Sequence, residues 1–111
     1  MKDVLAQSAL LNQNIKDSKE YKTYMETKIK LYEHPELCDK LKEFRHLNYD
    51  LQNQEGVNNY DSVTRLVNQY DDMLHNSVVT DFLKAEQRLC KDMQMVFNAI
   101  TDGLEFDLVD E

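Results

Sequence analysis

One helix ends and another begins within the seven residues Leu31-Tyr32-Glu33-His34-Pro35-Glu36-Leu37. Pro35 suits the first position of a helix, because it has no N–H to leave unpaired and its φ is already helical. Glu36 then places a negative charge at the positive end of the helix dipole. Leu41 and Phe44 follow Leu37 at helical spacing. The sequence therefore predicts two helices that meet at a tight corner.

The same apolar periodicity continues along the chain and predicts an all-α fold of about five helices. The predicted helices cover about 2–14, Ser18 to the corner at His34, 35–54, Ser62 to a second corner at Asn76, and 78–102. Asp17 or Ser18 is the expected cap of the second helix, and Asp61 or Ser62 that of the fourth. Gly103 suits the left-handed position after the last helix.

Each predicted helix carries an apolar stripe that we expect to face the core. On the second helix the stripe is Tyr21, Tyr24, Met25, Ile29 and Tyr32, and on the fourth it is Val63, Leu66, Val67, Tyr70 and Leu74. The longest helix, predicted to pack on the third and fourth, has the stripe Val79, Leu83, Glu86, Cys90, Met93, Phe97 and Ile100. The expected arrangement is an elongated antiparallel helical bundle.

Composition excludes several classes of protein. The net charge is −8, and no segment gathers Lys and Arg, so we expect no direct contact with nucleic acid. No apolar run approaches the roughly 20 residues of a membrane span, and the N-terminal residues lack the apolar core expected of a signal peptide. Only two cysteines occur, which suits a reducing cytoplasm. We expect one helical domain over 1–104 and a frayed acidic tail over 105–111.

Glu86 lies in the middle of the apolar stripe of the longest helix. A buried lone carboxylate there would cost several kcal/mol unless it were paired. Arg45 flanks the stripe of the third helix, so we predict an Arg45–Glu86 ion pair, within one chain or across a dimer. The alternative is that Glu86 lies where the stripe meets solvent.

Other positions suggest an interface. Asn48 is polar within the stripe of the third helix and would fix helix register or oligomeric state, or it is a water-satisfied edge position. The longest helix carries more apolar positions than packing against one layer of helices requires. This surplus predicts a homodimer or higher oligomer that forms through the long helices. The predicted packing and interface residues are Phe44, Asn48, Leu89, Met93, Val96 and Phe97.

Metal ligation and catalysis have little support. Glu43 with His46, and Asp72 with His75, have the Glu-x-x-His type of spacing found in dinuclear helical bundles. All four project away from the apolar stripes, so we interpret them as solvated side chains. No nucleophile grouping or phosphate loop is present, and no cofactor is predicted.

The two cysteines leave two interpretations open. Cys90 lies on the stripe of the longest helix and Cys38 at the edge of another, which favours buried thiols that act as small apolar groups. The alternative is a metal or iron–sulfur sensor with Cys38 and Cys90 as partial ligands. A third possibility is a structural helical protein whose partner is only another copy of itself.

Several short motifs together resemble the YlbF/YmcA family, which includes the YheA-like proteins. They are Ser18-Lys19-Glu20-Tyr21, the Pro35-Glu36-Leu37 corner, Glu43-Phe44-Arg45, and Phe82-Leu83-Lys84-Ala85-Glu86. Ser77 replaces a Pro that is frequent in the family after the second corner. The resemblance implies a YheA-like helical fold in a protein of Gram-positive bacteria.

The resemblance also implies a non-enzymatic regulator of competence, sporulation or biofilm formation. Such proteins act on other regulatory proteins in complexes that adjust messenger-RNA processing by the endoribonuclease RNase Y. Some members carry iron–sulfur clusters on cysteine-rich motifs. This chain departs from that pattern, because a cluster normally takes four thiolates and the chain has two.

Overall fold

The computed structural model describes residues 1–54 and 59–105, with Asn59 described only as the start of a helix. Within these ranges the chain forms six helices and no strand, which confirms the all-α prediction. They are α1 (Lys2–Asp17), α2 (Lys19–Tyr32), α3 (Pro35–Gln52), α4 (Asn59–Gln69), α5 (Asp71–Leu74) and α6 (Ser77–Thr101). Part of the stretch between the predicted third and fourth helices and most of the predicted acidic tail lie outside the described residues, so the domain boundary at 104 stays a prediction.

Local side-chain chemistry sets several helix ends where the sequence predicts them. Ser18 caps α2, because its hydroxyl accepts a hydrogen bond from the Tyr21 amide at 3.2 Å. Pro35 occupies the first turn of α3, and Asn76 caps α6 by accepting from the Val78 amide at 2.9 Å. Gly103 has a φ of +80° just after α6, which is the left-handed position expected of it.

A break at Tyr70 divides the predicted fourth helix into α4 and α5. Tyr70 has a φ of −105° and a ψ of 20°, outside the helical range. The helix also begins earlier than predicted, so Asp61 and Ser62 lie within its first turn rather than at its cap. Leu66, Tyr70 and Met73, at the i, i+4, i+7 spacing of one helical face, are buried, and Val67, which was expected to be buried, is exposed.

The long helix α6 packs chiefly along α2, and α3 packs along α4. The expectation that α6 packs mainly on the third and fourth helices is therefore wrong. The α2–α6 pair is antiparallel, because Tyr24 lies against Phe82 while the earlier Glu20 pairs with the later Arg88. The core beside these pairs consists of Leu31, Cys38, Leu41, Leu66, Tyr70, Met73, Val79 and Phe82.

The packed faces of α2 and α6 are rotated from the predicted stripes. On α6, at 100° per residue, the packed side is turned by about 50° towards Phe82, Leu89 and Val96. Cys90 is therefore exposed, and its predicted burial is wrong. On α2 the buried side chain is Leu31, and the predicted stripe residues Ile29 and Tyr32 are exposed. Apolar residues surround more than one face of each helix, so periodicity alone does not select the packed one.

The molecule is a thin slab of 51 × 39 × 17 Å. Its radius of gyration is 18.4 Å, against about 13 Å for a compact chain of this length. A slab of this thickness holds at most two helices across it, given a helix diameter of about 10 Å. In the part of the chain that the structure describes, no helix combines the length and the apolar character needed to cross a membrane.

Candidate protein-interaction site

The structure brings Arg45 of α3 and Glu86 of α6 together within one chain. Arg45 donates two hydrogen bonds to the carboxylate, one from Nη1 to Oε2 at 3.1 Å and one from Nη2 to Oε1. The Glu86 side chain is 28% exposed and that of Arg45 45% exposed. Glu86 is thus neither deeply buried nor free in solvent, and a two-pronged guanidinium contact meets its need for a partner.

Arg45 also lies over the ring of Phe82, with the guanidinium carbon 5.7 Å from the ring centroid. Phe82 is a core residue of α6. The flat guanidinium therefore covers the outer side of the core while its edge holds Glu86. The pair links α3 to α6, two helices whose main packing partners differ, α4 for α3 and α2 for α6.

A second contact between helices joins Phe44 of α3 to Tyr70, the residue at the break between α4 and α5. Their rings meet nearly edge to face, with centroids 5.6 Å apart and an interplanar angle of 63°. The Tyr70 hydroxyl donates a hydrogen bond to the Glu43 carboxylate. This hydrogen bond, followed by burial and the nearby negative charge, raises the pKa of Tyr70 above its ordinary value. Glu43, expected to be only solvated, is thus a hydrogen-bond acceptor.

An apolar groove of about 380 Å³ lies between the α1–α2 junction and the second half of α6. Leu89, Met93 and Val96, three of the predicted interface residues, line its α6 side, and Ile15 lines the opposite side. Ser18, Asn14, Glu20 and Asp92 complete the lining. Arg88, next to Leu89 in sequence, pairs with Glu20 at 3.5 Å and marks one end of the groove.

The end of α6 continues beyond the groove with its apolar side chains exposed. Phe97 is 56% exposed and Met95 63%, and Ile100 and Leu104 are also exposed. α2 does not reach this far, because its first residue, Lys19, lies beside Ala85 and Arg88. The apolar groove and the exposed end of α6 together form an apolar surface at one end of the molecule.

Asn48 is half-buried on α3. Its side-chain oxygen accepts a hydrogen bond from Gln52 Nε2, one turn later in the same helix, at 3.4 Å. A contact within one helix stabilises that helix locally but does not select a partner. The role predicted for Asn48 in register or oligomeric state therefore stays a prediction.

The His, Asp and Cys side chains considered as metal ligands do not come together at one site. His46 pairs with Asp50 at 3.4 Å and His75 with Asp71 at 3.1 Å, each within its own helical turn. Cys38 lies in the core and Cys90 is exposed on α6. Within residues 1–54 and 59–105, no group of three or more His, Cys, Asp and Glu side chains is arranged to hold a metal ion.

Two features of the site have no simple signal in the sequence. The Tyr70–Glu43 hydrogen bond lies at the break after Gln69. No Gly or Pro occurs at this break, so the sequence does not indicate it. The contribution of Ile15 to the groove depends on the angle between α1 and α2, which the extended backbone of Ser18 sets (φ −69°, ψ 151°). Only the α6 side of the groove follows from the excess of apolar residues there.

Comparison with known proteins adds one finding to this geometry. Searches of curated proteins and of solved structures found no match. A family model described as "Control of competence regulator ComK, YlbF/YmcA" matches residues 4–105. The match covers all six helices of the described ranges except the first residues of α1. This chain therefore belongs to the YlbF/YmcA family of competence regulators.

Proposed function

We propose that this protein is a non-enzymatic regulatory adaptor that acts through protein–protein contacts. The observation that carries the proposal is the family match over residues 4–105. The apolar groove and the exposed end of α6 support it, because apolar surface of this kind marks interaction sites on soluble proteins. The net charge of −8 disfavours direct binding to nucleic acid.

The proposed setting is the cytoplasm of a Gram-positive bacterium. There the adaptor associates with itself and with other regulatory proteins, and acts in control of RNase Y-dependent messenger-RNA processing, competence, sporulation or biofilm formation. Its binding energy comes from buried aromatic and aliphatic side chains rather than from charge. A metal-sensing role with Cys38 and Cys90 gains no support from their placement, because Cys38 is buried among Leu31, Leu41 and their neighbours.

An affinity pull-down from the native host, with mass spectrometry, tests this proposal. The bait is the full tagged chain, and an unrelated tagged acidic helical protein is the control. Recovery of an endoribonuclease or of related small helical regulators, followed by binding between the purified proteins, is the expected result. Recovery of the bait alone, under conditions that preserve a known complex in the same lysate, would contradict the adaptor role.

A further inference from the structure

The positive charges of this acidic chain are concentrated around the first corner. Residues 16–45 contain eight of the thirteen Lys and Arg side chains and seven Asp and Glu, which gives this region a net charge of +1. The remaining residues contain five basic and fourteen acidic side chains, a net charge of −9. An anionic group can therefore approach α2 and the first half of α3 without the repulsion that the rest of the chain exerts.

Cations and aromatic rings alternate across this region. Lys42 Nζ lies 5.8 Å from the centroid of the Tyr32 ring, and Lys28 Nζ lies 5.6 Å from the same centroid. Lys28 Nζ also lies 5.9 Å from the centroid of Tyr24, whose ring centroid is 5.7 Å from that of Phe82. With the guanidinium over Phe82, these side chains form a cation–aromatic ladder across α2, α3 and α6: Lys42, Tyr32, Lys28, Tyr24, Phe82 and Arg45.

The two ends of the ladder differ in how their charge is balanced. Arg45 is paired with Glu86, whereas Lys28 and Lys42 form no ion pair in the part of the chain that the structure describes. Two nitrogens that both lie within about 6 Å of one centroid are no more than about 12 Å apart. Tyr32 is 54% exposed, so these two like charges flank a ring that is open to solvent.

We propose that Lys28, Tyr32 and Lys42 form a docking site for an acidic peptide segment of a partner protein. Two carboxylates one helical turn apart, with Cβ atoms about 5–6 Å from each other, can each meet one ammonium group, while a neighbouring apolar side chain packs on the Tyr32 ring. Hydrogen bonds between ionised groups are stronger than those between neutral ones. Complementary charge acts mainly on specificity and association rate, so the site selects acidic partners.

A nucleic acid fits this surface less well than an acidic peptide does. Affinity for a polyanion grows with the number of phosphates that are neutralised. The ladder supplies two cations that lack an ion partner among the described residues, in a chain with a net charge of −8. The Tyr32 ring on which a base would stack already has two ammonium groups over it. A short acidic segment needs only those two charges.

The inference rests on the proposed adaptor role for its partner, but the site is tested without the host lysate. Tyr32 ends α2, whereas the apolar groove lies near its start, at Ser18 and Glu20. A displayed library of random peptides is first depleted on the Lys28→Gln/Lys42→Gln double variant, which removes peptides that bind elsewhere. It is then selected on the natural full chain. The expected peptides carry pairs of Asp or Glu, and their affinity falls as salt is added.

Fluorescence anisotropy of a selected, labelled peptide then compares single variants. Lys28→Gln and Lys42→Gln should each weaken binding, and the double variant should weaken it at least tenfold. Lys30→Gln is the matched control, because Lys30 is exposed on the same helix, lies outside the ladder and changes the net charge equally. Tyr32→Phe keeps the ring and should retain binding, whereas Tyr32→Leu should not. Circular dichroism checks that each variant is folded.

Three results would overturn the proposal. The first is a set of selected peptides without acidic residues, and the second is a loss of affinity in Lys30→Gln equal to that in Lys42→Gln. The third is a single-stranded RNA oligonucleotide that the natural chain binds and the double variant does not, with no acidic peptide selected. Acidic peptides that bind through Lys28 and Lys42 would support the site even where the pull-down recovers the bait alone, a result that counts against the adaptor role only.

Discussion

Arg45 and Glu86 show how one pair of side chains ties together helices whose main packing partners differ. The pair is two-pronged and partly shielded, whereas Arg88 and Glu20 make a single 3.5 Å contact in which Arg88 is 72% exposed. Ion pairs gain strength from fixed geometry and lose it to solvent exposure. The two pairs therefore offer a matched comparison on the same helix.

Removing the Arg45–Glu86 pair should destabilise the fold by about 1 kcal/mol, near the upper end for pairs that are not fully buried. The test is a double-mutant cycle of Arg45→Met and Glu86→Gln in urea denaturation, since Met keeps an apolar stem over Phe82. Arg88→Met should cost less than about 0.5 kcal/mol. If Glu86→Gln changes neither thermal stability nor oligomeric state, the pair has no structural role.

Tyr70 should make stability depend on alkaline pH. Its hydrogen bond to Glu43 raises the pKa of the phenol, so the folded chain holds this proton more tightly than the unfolded chain does. The resulting stabilisation is fully present below the unfolded pKa of about 10 and is lost as pH rises through the higher folded pKa. Urea denaturation between pH 7 and 11 should show a steeper alkaline decline for the natural chain than for Tyr70→Phe. Tyr49→Phe, at an exposed position, should leave the decline unchanged; equal slopes in all three would refute the role of Tyr70.

At the scale of the element, helix ends are set by single side chains. Asn76→Ala should remove the acceptor for the Val78 amide and destabilise the chain by about 1 kcal/mol, as loss of an N-cap typically does. Asn76→Asp keeps an acceptor at the same place and should retain most of the stability. Thermal unfolding of the three chains measures the difference. Equal loss in both variants would show that the cap contributes nothing.

The ends of the helices and the faces they bury differ in how far the sequence predicts them. Ser18, Pro35, Asn76 and Gly103 act through hydrogen bonds or backbone angles within a few residues, so their effect is visible locally. Which face of α6 is buried depends on which helix packs against it. Cys90 and Leu89 are both apolar and adjacent in sequence, and only the position of α2 leaves the first exposed and the second half-buried.

At the scale of the whole molecule, the proposed self-association predicts that stability depends on chain concentration. If the chain associates with itself through the predicted interface residues of α6, the melting temperature should rise with protein concentration, because mass action favours the associated folded state. Differential scanning calorimetry over a 100-fold concentration range measures the rise. Phe97→Glu should remove the dependence and Tyr49→Glu should not. A melting temperature that is constant for the natural chain would contradict a dimer that contributes to folding.

The sequence by itself determined the all-α class, the tight corners at Pro35 and Asn76, the cap at Ser18, and the family, because these depend on local periodicity and short motifs. It also predicted the Arg45–Glu86 pair, with a solvated Glu86 as the alternative, and named Leu89, Met93 and Val96 among the interface candidates, which stay a prediction. Tertiary structure alone decided the break at Tyr70, the packing of α6 on α2, the exposure of Cys90 and the exposure of α1, which has no buried residue. Each of these depends on which helix lies against which, and a chain whose helices are apolar on more than one side leaves that choice to packing.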